Sequence, residues 1–334
     1  LPGVTYAVAN DHKYRIFDLV DAHFRSHDEA SEGRRRLEAP RTALSGPPDR
    51  FAFGDTLDGF HTRAGIKIQD GCDNLCSFCI IPYVRGRAVS RPAAEVVEHA
   101  RRVIGDGARE IVLTGVNMGR YEDDRSSFVG LIERILELPG DFRVRLSSVE
   151  PDTGIIGIER LVGHERFCPH LHLCLQSGSD RVLAAMRRRY SVREFESMVE
   201  ALRGADPEFN FTTDILVGFP GETDAEFEET LGVVRRIGFS HIHTFPFSAR
   251  RGTRAARMPD QIDERVKAAR AERIRAESEV LKRRYRSRFV GRTERVLVER
   301  TEGGISGYGA YYVPVITESP KAGEAQPNRN DLVD

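Results

Sequence analysis

The chain has 334 residues, of which 40% are hydrophobic and 30% charged, with a net charge of −1. This composition excludes an intrinsically disordered chain, and the length suits a large α/β body with an appended domain. No apolar run of about eighteen residues is present to cross a membrane, and a balanced net charge says nothing by itself about a polyanionic partner.

Residues 1–25 end in "KYRIFDLVDAHF", a helical pattern. They lack the basic flank and apolar centre of a signal peptide, and Leu1 is not an initiator methionine, so the sequence reads as beginning inside a longer protein. Residues 26–60 carry charge, Gly and Pro without a sustained period and read as a linker. From His61 onward, apolar runs of strand length recur at 65–69, 110–115, 142–148, 170–176, 209–219 and 239–247. Amphipathic stretches lie between them. In the first stretch Val96, Val97, Ala100, Val103 and Ile104 share one face, with Pro92 near its start. Two more helices begin with capping boxes, Ser191 with Glu194 and Thr223 with Glu226. Six strand–helix repeats predict a parallel sheet with right-handed crossovers, either open and doubly wound or a partly closed barrel. Ligands gather at the carboxyl ends of such strands.

After Phe247 the pattern changes to a long basic helix over about 260–288. From Arg250 to Arg300 there are 17 Lys/Arg and 8 Asp/Glu, an excess of nine positive charges that leaves about −10 for the rest. That asymmetry suits a nucleic-acid-facing segment; the alternative is a solvated, ion-paired helix. Residues 289–334, with alternating β-branched residues, a Gly303–Gly304 turn and closely spaced tyrosines, predict a small antiparallel β module. The closing "NRNDLVD" reads as a strand just beginning.

Residues 71–79 read "GCDNLCSFC", which places Cys72, Cys76 and Cys79, three of five cysteines, on a loop after the first strand. An odd, clustered set argues against a secreted disulfide scaffold and for a reducing cytoplasm. Structural zinc takes four ligands, and the next cysteine is Cys168, so only the distant His61 offers a fourth. Three thiolates suit a 4Fe–4S cluster whose fourth iron stays open to a small molecule. The C-x-x-x-C-x-x-C spacing, with Phe78 before the last cysteine, is the signature of radical S-adenosylmethionine (SAM) enzymes.

Residues 61–288 resemble the radical SAM domain of methylthiotransferases, which insert a methylthio group into a C–H bond of tRNA or of a ribosomal protein. The resemblance rests on "IKIQDGCDNLCSFCIIPYVRGRAVSRP" (66–92), "HLHLCLQSGSDRVLAAMRRRY" (170–190) and "DILVGFPGET" (214–223). "IVLTGVNMGRY", "LSSVEPD" and "FPFSARRGTRAARMPDQID" most resemble the branch acting on N6-threonylcarbamoyladenosine beside the anticodon. The alternatives are the branches acting on isopentenyladenosine in tRNA or on a ribosomal-protein aspartate. Outside the class stands a non-catalytic RNA-binding protein with a structural metal. The resemblance implies an α/β fold, a partial (β/α)6 radical SAM barrel over 61–288, followed by an incomplete TRAM-like RNA-binding domain over 289–334. Residues 1–25 resemble the tail of the family's N-terminal domain, whose three cysteines for a second 4Fe–4S cluster are not in this sequence.

The implied cofactors are a 4Fe–4S cluster on Cys72, Cys76 and Cys79 and SAM. The implied partners are the tRNA anticodon stem-loop and an electron donor such as flavodoxin or ferredoxin, in the cytoplasm and without a membrane. For SAM, the expected contacts are Phe78 near the adenine, the turn of Thr114, Gly115 and Asn117 at the methionine carboxylate, and Glu150 and Gln176 on the ribose or amine. Asp214 and Gly218 are expected near the site as well. Tyr83, Arg85 and Arg87, at the mouth, are the expected phosphate contacts. Each has an alternative as an ordinary turn, packing or solvated residue. Cys168 and Cys174 read as buried, inert thiols. His170, His172, His241 and His243 alternate so that each pair shares a sheet face; the favoured reading there is not metal binding.

Overall fold

A computed structural model describes residues 15–21, 50–51, 62–124, 126–151, 155–317 and 327–333. The linker proposed for 26–60, apart from Arg50 and Phe51, lies outside the described residues, as does His61. The chain divides into two units, residues 1–54 and 55–334; in the first, residues 16–21 form a short helix.

The second unit is built on six parallel strands in chain order. β1 (Ala64–Lys67), β2 (Glu110–Thr114) and β3 (Arg143–Leu146) form one sheet. After a break at Ser147 the chain continues as Ser148–Val149. This stub pairs with β4 (His170–Leu173), and β5 (Asn210–Val217) and β6 (His241–Pro246) complete a second sheet. Ile66, Ile111, Leu113, Val144, Leu171, Leu173, Ile215 and Val217 are almost wholly buried. Such near-continuous apolar runs are what a parallel sheet covered on its outer face requires. The sheets end earlier than the sequence runs predict; β4 stops at Leu173 rather than residue 176, because Gln176 takes a left-handed φ of 67°.

The crossover helices follow the amphipathic pattern. α1 (Ala93–Gly105) buries Val96, Val97, Ala100 and Val103, and α2 (Phe128–Leu136) follows β2. α3 (Val192–Ala205) and α4 (Asp224–Ile237) both start with complete capping boxes, at Ser191/Glu194 and Thr223/Glu226. In each, hydroxyl and carboxylate reciprocally satisfy amides that lack a helical partner.

α5 (Glu264–Ser287) is the long helix of the basic segment, and it carries both ion pairs and exposed cations. Its inner face buries Ala271, Ile274, Leu281 and Tyr285 together with the cations Lys267 and Arg270. Arg270 bridges Glu222 and Asp224, Arg273 pairs with Glu228, and Glu277 on the helix pairs with Arg235. Arg270 and Arg273 are therefore neutralised by acids from outside the segment, while Arg283, Arg284 and Arg286 are exposed.

Beyond α5, β7 (Val296–Arg300), β8 (Ile305–Tyr308), β9 (Pro314–Thr317) and β10 (Leu332–Val333) form an antiparallel sheet in the order β9-β8-β7-β10. The β7–β8 turn uses Gly303 and Gly304, both at positive φ. A buried charge cluster clamps this sheet to the parallel strands. Glu110, fully buried at the start of β2, accepts from Arg63, Arg143 and Arg145 at 2.6–2.7 Å. Arg143 in turn donates to the Arg295 and Tyr308 carbonyls, and Arg145 to those of Gly309 and Ala310. Since these residues begin their strands, the small sheet sits at the amino ends, leaving the carboxyl ends for the cysteine loop.

Candidate active site

The cysteine loop leaves β1 through Gln69–Asp70, which pairs antiparallel with Val89–Ser90. Gly71 has φ +72°, and a Cβ there would lie 2.0 Å from the Arg87 carbonyl oxygen, so only glycine fits. The fully buried Asp70 accepts from Lys67 at 2.8 Å and Arg85 at 3.1 Å, fixing the loop's entry. Ser77 anchors its middle: its amide and hydroxyl donate to the Met186 and Ala185 carbonyls, and its own carbonyl accepts from Ala255. The Cys79 amide turns back onto the Cys76 carbonyl.

The donors around the sulfurs suit thiolates. The Asn74 amide donates to Cys72 Sγ at 3.4 Å and Arg188 Nη1 to Cys76 Sγ at 3.3 Å. Asn117 Nδ2 stands 4.0 Å from Cys72 Sγ, while its buried Oδ1 has no partner among the described residues. Burial pushes the Cys76 thiol up, with the Arg188 cation opposing, and burial likewise raises Cys79; a metal that binds the thiolate forms would offset this. All three cysteines are free and partly exposed. Among the described residues, one trio of His, Cys, Asp or Glu has all its donor atoms within 4.8 Å of one another, and it is not these three. A single tetrahedral zinc with Zn–S of about 2.3 Å would draw three sulfurs to about 3.8 Å apart. A cubane cluster would instead seat each thiolate on a different iron.

Arg188, which the sequence reading passed over, is the main electrostatic element beside the loop. Its side chain is 4% exposed, donates to Cys76, forms an ion pair with Glu150 and lies 5.2 Å over the Tyr190 ring. The run "RRRY" (187–190) carried no signal singling out Arg188, whose flanking Arg187 and Arg189 are exposed.

The remaining candidates fall into three groups. Glu150, Asn117 and Cys76 lie together around the loop through Arg188 and Cys72. In the 114–117 turn Gln69 Oε1 accepts from the Val116 and Asn117 amides at 3.0 and 2.8 Å. Gly115 is small because Met118 and Gln69 occupy the space of a Cβ, and the Thr114 hydroxyl donates to the Ile66 carbonyl. Gly218 likewise has φ +70° with Lys267 packed against it, and its amide donates to Glu222. Phe78 packs against the cluster of Val182, Met186, Leu216, Phe219 and Phe247. Gln176 is buried at the end of β4, its amide and carbonyl bridged to β5. Asp214 faces His172 and Cys174 rather than the cysteine loop. At the mouth, Tyr83 and Arg87 are exposed, whereas Arg85 is engaged by Asp70.

A cavity of about 580 Å³ is lined by residues of β2 through β6, among them Val112, Leu146, Ser148, His172, Thr212 and His243. The sheets therefore curve around a common interior, closed at the amino ends by Tyr308 and Tyr312 of the small sheet. Buried Cys168 is pushed up to about 11 by its surroundings, chiefly burial, in keeping with an inert thiol.

The family model of the radical SAM superfamily matches residues 66–234. A threonylcarbamoyladenosine tRNA methylthiotransferase of Thermotoga maritima is 44% identical over 284 residues, 83% of this chain and 65% of its own length. One from Bacillus subtilis is 36% identical over 95% of this chain and 70% of its own. A tRNA-2-methylthio-N(6)-dimethylallyladenosine synthase of Syntrophotalea carbinolica is 40% identical, over 86% and 64%. The chain thus spans somewhat less than two thirds of several of these relatives. Among solved structures, the radical SAM methyltransferase TsrM of Kitasatospora setae, with cobalamin and a [4Fe-4S] cluster bound, shares the fold. Its TM-score is 0.50 at 15% identity, covering 57% of this chain and 38% of that one.

Proposed function

We propose, from the premise that this chain belongs to the radical SAM superfamily and within it to the tRNA methylthiotransferases, that it is the catalytic body of an enzyme placing a methylthio group on C2 of N6-threonylcarbamoyladenosine next to the anticodon in tRNA. The observation carrying this reading is the loop of Cys72, Cys76 and Cys79. It follows the carboxyl end of the first of six parallel strands, with N–H donors aimed at the sulfurs of Cys72 and Cys76. Kinship to relatives named for threonylcarbamoyladenosine, at 36–44% identity, favours that substrate. The synthase-type relative keeps dimethylallyladenosine as the second reading.

The three cysteines would hold a 4Fe–4S cluster, which with SAM supplies one-electron reductive cleavage and hence hydrogen abstraction from the substrate carbon. The chain's own residues do the rest. Arg188 holds Glu150 and donates to Cys76, while Asn117, beside Cys72, keeps a buried oxygen with no partner among the described residues, ready for a ligand's amine. Residues 289–334 act as a TRAM-like RNA grip, and Tyr83 and Arg87 meet tRNA phosphates. A flavodoxin- or ferredoxin-type donor reduces the cluster in the cytoplasm. The family's second, sulfur-bearing cluster would be held by cysteines outside this sequence.

The test is anaerobic reconstitution of this chain with iron and sulfide, scored for about four irons per chain and for 5′-deoxyadenosine formed from SAM. Zinc in place of iron would overturn the class. In the longer protein, unmodified threonylcarbamoyladenosine tRNA beside a modified dimethylallyladenosine tRNA would overturn the substrate.

A further inference from the structure

We propose that His172, Cys174 and Asp214 form a second metal site, for a single zinc-class divalent ion, inside the curved strand array. The three residues lie on β4, just beyond it and on β5, and they share no ligand with the cysteine loop. In register, Thr212 stands beside His172 and His241, and Asp214 beside His243, so alternate residues of neighbouring strands face one interior. Their donor atoms all lie within 4.8 Å of one another. His172 Nε2 is 3.2 Å from Asp214 Oδ1, and Cys174 Sγ is 3.9 Å from Asp214 Oδ2. Around a tetrahedral zinc with Zn–S of about 2.3 Å and Zn–N and Zn–O of about 2.0 Å, those separations come to about 3.3 and 3.5 Å. The two separations run to different oxygens of Asp214, so a turn of that carboxylate and a modest approach of the three side chains would close the site on an ion.

Three further features point the same way. Thr212 Oγ1 engages His172 Nδ1 at 2.9 Å, fixing the ring so that Nε2 faces the other two donors, the second-shell arrangement of metal-bound histidine. Cys174 is buried with its sulfur 3.9 Å from Asp214 Oδ2, an anionic, water-poor position that a cation would occupy favourably. A mixed imidazole, thiolate and carboxylate set selects a borderline transition ion over magnesium or calcium. Three protein ligands leave a fourth place on the side where His172 and His243, ring centroids 5.4 Å apart, line the cavity. That is the layout of a zinc site able to take a small ligand.

The experiment uses the full chain with its cluster loaded anaerobically, given zinc, freed of excess by gel filtration and analysed for both metals. Wild type and Cys168→Ala should retain about one zinc per chain, and Cys174→Ala and Asp214→Asn should lose it with iron unchanged. Cobalt(II) should give a thiolate charge-transfer band that disappears in Cys174→Ala. Absence of zinc from the wild type, or its retention in both ligand variants, overturns the proposal. Should a variant lose iron as well, Cys174→Ser decides instead, by its cobalt band. Iron content separately reports on the cysteine-loop reading, so the two fail independently.

Discussion

Replacing Arg188 with Met removes a buried cation while keeping its bulk. Its Nη1 stands 3.3 Å from Cys76 Sγ, which puts the guanidinium about 5 Å from the charge of a cluster spread over several irons. At an effective dielectric constant of about 20, a unit charge at that distance contributes about 3 kcal/mol. That is about 2.4 powers of ten in a one-electron equilibrium, or about 140 mV at about 59 mV per tenfold. Because the cation favours the added electron, Arg188→Met should move the midpoint potential about 140 mV more negative. Should Glu150, now without its partner, take up a proton, the shift falls to about half. Glu150→Gln removes an anion from the same neighbourhood and should move the potential the other way. The assay is a dithionite titration of reconstituted protein followed by electron paramagnetic resonance, at matched iron content. A shift below about 30 mV, or shifts of the same sign in both variants, would refute the placement of Arg188 beside a cluster ligand.

Glu110→Gln leaves Arg63, Arg143 and Arg145 without their shared anion and should cost about 3–5 kcal/mol in urea unfolding; a loss below about 1 kcal/mol would contradict the buried cluster. The three arginines hold the Glu110 carboxyl well below the usual carboxylate range. Its stabilisation is therefore complete above the unfolded value of about 4.3 and lost as pH falls below it, so the acid limb of wild-type stability should flatten in the variant. Gly218→Ala forces a left-handed alanine against Lys267 and should destabilise by at least about 1–2 kcal/mol, measured by the same unfolding curves. Arg87→Ala should reduce the slope of log affinity for tRNA against log salt by about 0.9, because its pair with Asp73 is exposed and phosphate can displace it, whereas Arg85→Ala should leave it unchanged because the fully buried Asp70 holds Arg85.

The parallel strands and their helices were legible because their signals are local. Apolar runs such as "IVL" and "DILV" and the two capping boxes need no knowledge of the rest of the chain. The cysteine loop was legible for the same reason, its three ligands lying within eight residues. What the sequence did not show depends on partners far apart in the chain. Gln69 consumes the amides of residues 116 and 117, and Arg188 reaches Cys76 across 112 positions. The partners of Arg85, Arg270 and Arg273, namely Asp70, Glu222 and Glu228, likewise come from other parts of the chain. Charge excess along a sequence counts cations; it does not reveal which are already bound.

The two buried arginine–glutamate arrangements divide the strand array by task. At the amino ends, Glu110 gathers Arg143 and Arg145, whose remaining donors grip carbonyls of residues 295 and 308–310, so one carboxylate ties the small sheet to the parallel strands. At the carboxyl ends, Arg188 gathers Glu150 and Cys76, so one guanidinium ties a carboxylate to a thiolate. Removing one partner of a buried pair leaves the other charge uncompensated in either place. The consequences differ because the first cluster bonds to backbone and the second to sulfur. A change at Glu110 should loosen the small sheet, and with it any RNA grip, while leaving cluster potential alone; a change at Arg188 should do the reverse. Observing both effects in a single variant would mean that the two ends of the strands are coupled, and the division argued from their hydrogen bonds would be wrong.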